Sequence, residues 1–136
     1  MVEIEIVYEG DLHTVCLHKQ SGSEFRTDAP KDNQGKGELF SPTDLVATSM
    51  GSCMMTIMGI AARNRGIAIE GAKVTARKHM VADPLRRIGK IELDFQMPAN
   101  LSKDERKLLE NAADTCPVRR SLHPNVIVEM RFDYTL

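Results

Sequence analysis

Three cysteines, Cys16, Cys53 and Cys116, are the most reactive side chains in a chain of 136 residues. Cys53 lies inside an uncharged, apolar stretch. Cys116 lies where one helical pattern ends and Pro117 can begin another turn. A thiol beside a fresh helix N-terminus faces unpaired backbone N–H groups, which favour the thiolate, the nucleophilic form. Arg119 and Arg120 follow closely and would add positive field. Against this stands the common role of an unpaired cysteine as a small buried apolar residue. The wide separation of Cys53 and Cys116 in sequence says nothing about contact. Cys16, between Val15 and Leu17 in a strand pattern, reads as structural.

Other chemistries find little support. There is no C-x-x-C, and the one H-x₄-H, His13 to His18, falls on a strand pattern, so no metal site is expected. His13 and His18 are an odd number of residues apart on one strand, which puts them on opposite faces. His79 and His123 read as solvent or core residues. Gly35-Lys36-Gly37 lacks the rest of a phosphate loop, and there is no G-x-S-x-G for a serine nucleophile. Arg86-Arg87 and Arg119-Arg120 are short basic clusters, suited to solvated faces or local ion pairs.

The elements that must position the cysteines follow from periodicity. Val2, Ile4 and Ile6 alternate with Glu3 and Glu5, the pattern of a half-buried strand. Further strands are expected over Leu12 to Lys19 and Glu24 to Thr27, with a polar loop from Asp28 to Glu38. Ser41-Pro42-Thr43-Asp44 starts a helix: Ser41 at the N-cap, Pro42 at the first helical position, Asp44 returning a bond. No residue from Leu45 to Ala62 is charged. That length sits at the limit of a membrane span, which needs about 18–20 residues. Its Thr, Ser and Gly residues and its mid-chain position favour a central helix buried on nearly all sides. A domain of this size rarely hides a whole helix alone, so a second subunit is expected to cover it.

Strands follow around Ala72 to Arg77 and Lys90 to Met97. A capping box, Ser102-Lys103-Asp104-Glu105, then opens a helix with Leu108, Leu109, Ala112, Ala113 and Cys116 on one face. Val126 to Tyr134 closes the chain as a strand. The order βββ-α-ββ-α-β makes the fold α+β, with one-sided antiparallel sheet packed on helices.

Composition bounds the rest. The length suits a single domain over residues 1–136. Hydrophobic residues at 42% and charged residues at 27% fit a globular protein rather than a disordered one. A formal net charge of −1 gives no electrostatic reason to expect nucleic acid or an anionic membrane as partner. With aromatics at 4% and 8 Met, the core must be aliphatic and Met-rich. Met1 to Tyr8 lacks the basic start and apolar run of a secretory signal, so cytoplasm is the expected compartment. Reduced or redox-active thiols are then more natural than a disulfide scaffold.

Ser41-Pro42-Thr43-Asp44-Leu45, Gly51-Ser52-Cys53 and Cys116-Pro117-Val118 together resemble the OsmC/Ohr family, the osmotically inducible protein C and organic hydroperoxide resistance proteins. Thr27 to Pro30, Gly35 to Glu38 and Ser121-Leu122-His123-Pro124 resemble its OsmC-like branch. The resemblance runs over essentially the whole chain. It implies an intertwined homodimer, with antiparallel sheets wrapped around buried central helices and two active sites at the subunit interface. It also implies a thiol peroxidase needing no metal or organic cofactor. Cys53 matches the peroxidatic cysteine and Cys116 the resolving one. The implied partners are a small organic hydroperoxide as substrate and a dithiol as reductant.

The resemblance further implies an Arg after the first strand that activates the thiolate, and a Glu after the helix-start Pro that holds it. This chain departs at both places. Asp11, Leu12 and His13 follow the first strand, and Thr43 stands at the Glu position with Asp44 next to it. His13 and Arg26 are the candidate cations, and Asp44 is the candidate to orient either one or simply to cap the helix. Loss of the Arg leaves a second reading open: a non-catalytic dimer binding a small hydrophobic ligand, or a thiol redox sensor, on the same scaffold.

Overall fold

The computed structural model describes residues 1–136. Contacts divide the chain into two units, Met1–Val46 and Ala47–Leu136.

The first unit is a meander of β1 (Ile4–Gly10), β2 (His13–His18) and β3 (Ser23–Asp28), paired antiparallel in chain order. Asp11 and Leu12 connect β1 to β2, with φ of 54° and 62°. Positive φ at both loop positions is what a tight type I′ hairpin turn demands. Pairing sets Ile6 opposite Cys16 and Cys16 opposite Phe25. Cys16 is buried, but Ile4, Ile6, Tyr8 and Phe25 are exposed. The half-buried first strand expected from its alternation is therefore not half-buried within one chain. After β3, a short 3₁₀ turn at Lys31–Asn33 and a polar loop lead to a helix.

That helix, α1 (Pro42–Asn64), starts as its sequence dictates. Asp44 Oδ2 accepts the Ser41 N–H at 2.8 Å, and the Asp44 N–H donates to Ser41 Oγ at 3.1 Å. The two bonds satisfy otherwise orphaned helix N-terminal donors. By length and composition α1 could cross a membrane, with mean hydropathy 1.6 over its most apolar stretch. A stripe of Ala47, Met50, Gly51, Met54, Met58 and Ala62 is nevertheless buried, at the three- and four-residue spacing of a helix packed on a sheet. A Cβ on Gly51 would lie 3.4 Å from Val74 and 3.5 Å from Leu93, ordinary packing distances that place this face of α1 directly against both side chains. Burial on nearly all sides is not reached within one chain: Ile60 is 51% exposed.

The rest of the second unit is β4 (Lys73–Val81), β5 (Arg87–Gln96), α2 (Lys103–Asp114), α3 (Pro117–Ser121) and β6 (Ile127–Asp133). β5 is central, antiparallel to β4 and parallel to β6. The parallel pair departs from the all-antiparallel expectation. Parallel neighbours need a long crossover, and α2 with α3 supplies it. Ile91, Leu93, Phe95 and Met97 join Met50, Met54, Met58, Leu109 and Ala113 in a fully buried core. Phe95 stacks on Phe132 with ring centroids 4.6 Å apart. This core is aliphatic and Met-rich, as composition requires.

Candidate functional site

Cys116 owes its place to a helix break. The Thr115 and Cys116 amides donate back to Ala112 and Ala113 at 3.0 and 3.2 Å, ending α2. Pro117 then opens α3, leaving Cys116 at the N-cap position. Its side chain is fully buried. Cys53, on α1 beside the buried Met54, is half-buried. The two thiols, far apart in sequence, are brought near enough to interact, and Cys53 is one of the groups that raise the Cys116 pKa. All three cysteines are free thiols.

The electrostatics of the pair favour a protonated Cys116. Burial pushes its thiol above the usual cysteine range, and the neighbouring Cys53 thiol pushes the same way. The Val118 and Arg119 amides pull downward, as a helix N-terminus should. They are outweighed, and Cys116 forms no full capping bond. The thiolate expected at this helix start is thus not the favoured form of Cys116. The Arg119 guanidinium is engaged by the Asp114 carboxylate.

The other expected residues lie in the first unit. Arg26 pairs with Glu9 at 3.0 Å and is exposed. Asp44 caps α1, as described. His13 begins β2 directly opposite Asp28, the last residue of β3. Its Nε2 lies 3.6 Å from Asp28 Oδ1 and 3.7 Å from Glu38 Oε2. Asp28 and Glu38 were not singled out from sequence. Pairing of β2 with β3 delivers Asp28, and a tight loop delivers Glu38. In that loop a Cβ on Gly35 would fall 1.7 Å from the Ala29 carbonyl oxygen, so only glycine fits. The Glu38 N–H donates to Asp28 Oδ2 at 3.0 Å. That bond, with the neighbouring His13 ring adding to it, holds the Asp28 carboxyl below the usual carboxylate range despite its burial.

The methionines around Cys53 divide. Met50 and Met54 are fully buried core. Met55 lines a groove of about 450 Å³ with Thr56, Gly59, Ile60 and Ile67.

Comparison with known proteins agrees with this architecture. The family model described as OsmC-like protein matches residues 35–131. A solved structure from Psychrobacter arcticus, described as a candidate osmotic stress induced and detoxification response protein, is 45% identical. It superposes with a TM-score of 0.92, covering 98% of this chain and 96% of that one. An organic hydroperoxide resistance protein OsmC from Legionella pneumophila shares the fold at 17% identity, with a TM-score of 0.78 over 98% and 96% of the two chains. The organic hydroperoxide resistance protein OhrB of Bacillus subtilis does so at 18% identity, with a TM-score of 0.70 over 98% of each. Comparison with curated protein sequences finds no match. The chain belongs to the OsmC-like family.

Proposed function

We propose that this protein is a cysteine-based thiol peroxidase that reduces organic hydroperoxides. The observation that carries the reading is the interaction of the Cys53 and Cys116 thiols within a reduced, partly buried pair. In the first step the Cys53 thiolate attacks the peroxide O–O bond. One oxygen stays on sulfur as a sulfenic acid, and the other leaves as alcohol after taking up a proton. The Cys116 thiol then condenses with the sulfenic acid, releasing water and forming the Cys53–Cys116 disulfide. An external dithiol returns both to thiols by exchange and is itself oxidised.

A buried Cys116 that keeps its proton suits the second role. It serves as an S–H donor towards the Cys53 sulfur while that atom attacks, and it is in contact when the sulfenic acid forms. The organic preference is supported by apolar surroundings and by the printed descriptions of relatives as organic hydroperoxide resistance proteins. Residues 1–136 act as one functional domain, in the reducing cytoplasm, as a homodimer. The exposed Ile4, Ile6, Tyr8 and Phe25 and the exposed Ile60 of α1 support the dimer, because such surface is normally covered by a partner.

Peroxide consumption by the reduced protein with a dithiol tests the reading. Wild type is expected to turn over an organic hydroperoxide faster than hydrogen peroxide. Cys53→Ser should be inactive, and Cys116→Ser should stop after one oxidation. No turnover above free dithiol would overturn the peroxidase and leave ligand binding or redox sensing.

A further inference from the structure

The first unit holds a cluster that the thiol chemistry does not use. We propose that His13, Asp28 and Glu38 form a binding site for a first-row divalent cation, zinc above all, which ties the Asp28–Glu38 loop to the β2–β3 hairpin.

The donor atoms already converge: His13 Nε2, a carboxylate oxygen of Asp28 and one of Glu38 all lie within 4.8 Å of one another. Separations of 3.6 and 3.7 Å from the His13 nitrogen are too long for hydrogen bonds. They are close to the edge of a zinc tetrahedron, about 3.4 Å for bonds of roughly 2.0–2.1 Å. The independent observation is Asp28 Oδ1. It belongs to a side chain with 0% exposure and has no hydrogen-bond partner of normal geometry, although the Ala29 and Lys36 amides lie near the carboxyl, and it faces His13. A buried carboxylate oxygen without a donor is costly, and a cation would satisfy it.

The partners of the cluster suit a metal site. Asp28 Oδ2 is fixed by the Glu38 N–H, the kind of outer bond that orients a ligating carboxylate. Two carboxylates and a neutral imidazole balance a divalent charge. Glu38, with its side chain 58% exposed, leaves an open side for a water as fourth ligand. Imidazole in the set favours zinc and its first-row neighbours over calcium or magnesium, which prefer oxygen throughout. The sequence hides such a site because the ligands come from two strands and a loop rather than one local motif.

The test is zinc titration of the full chain, stripped with chelator and kept reduced, against a chromophoric competitor. One zinc per chain is expected. His13→Gln and Glu38→Gln should each weaken it by roughly tenfold or more. Glu38 is exposed, so its variant keeps the test meaningful if the His13 variant folds poorly. Because Cys53 and Cys116 could also take zinc, the Cys53→Ser/Cys116→Ser double variant must bind as tightly as wild type. Cobalt(II) in place of zinc should give ligand-field bands without thiolate charge transfer. The proposal fails if wild type binds no zinc, if binding survives both ligand variants, or if it vanishes in the double cysteine variant. It equally fails if His13→Gln lowers stability while wild type takes up no metal, since the cluster is then only an ion pair.

Discussion

Strand β5 alternates buried and half-buried side chains along most of its length, whereas β1 exposes nearly all of its own. Both sequences alternate apolar with charged residues, Ile91-Glu92-Leu93-Asp94 in one and Ile4-Glu5-Ile6 in the other. The difference lies in what covers them. β5 is the middle strand of its sheet, and the α1 stripe meets that sheet at Val74 and Leu93. β1 is the edge of a three-stranded meander. Alternation therefore encodes a strand with two chemically distinct faces, and burial follows only where a cover exists. In the second unit the chain supplies that cover itself. For β1 the proposed homodimer would supply it.

This contrast can be broken by mutation. Phe95→Ala removes a fully buried ring stacked on Phe132 and should cost about 3–5 kcal/mol in urea unfolding. A cost under about 1 kcal/mol would mean that the second unit does not carry the core assigned to it. Ile6→Glu touches a side chain 64% exposed in one chain, so the fold of the protomer should survive. Sedimentation should instead show a wild-type dimer falling to monomer, and a variant that stays dimeric would remove β1 from the interface. Ser102→Ala deletes half of the capping box at α2, where Ser102 Oγ accepts the Glu105 N–H at 3.2 Å. The expected loss is about 1 kcal/mol, visible as a shifted urea midpoint with an unchanged slope.

Much of this architecture was legible before the structure. The order of strands and helices, both helix starts and the Met-rich core follow from periodicity and capping residues, which are local signals. The parallel β5–β6 pair was not legible, because alternation is the same in either direction. The cysteines were visible as candidates, but spacing did not show that they meet; only the family resemblance implied that pairing. It depends on α1 and the α2–α3 break arriving at the same place, which spacing does not encode. The balance at Cys116, between helix start and burial, was left open for a related reason. Its helix N-terminus is written in Pro117, while the burial that outweighs it is a property of the packed core. Asp28 and Glu38 looked like loop residues, and only the β2–β3 register and the Gly35 approach bring them to His13.

The most direct test of the central claim is peptide mass mapping of the reduced protein after one equivalent of organic hydroperoxide, with no dithiol present. The account predicts a Cys53–Cys116 disulfide within one chain and an unmodified Cys16. Intact thiols at 53 and 116, or oxidation at Cys16 instead, would contradict it.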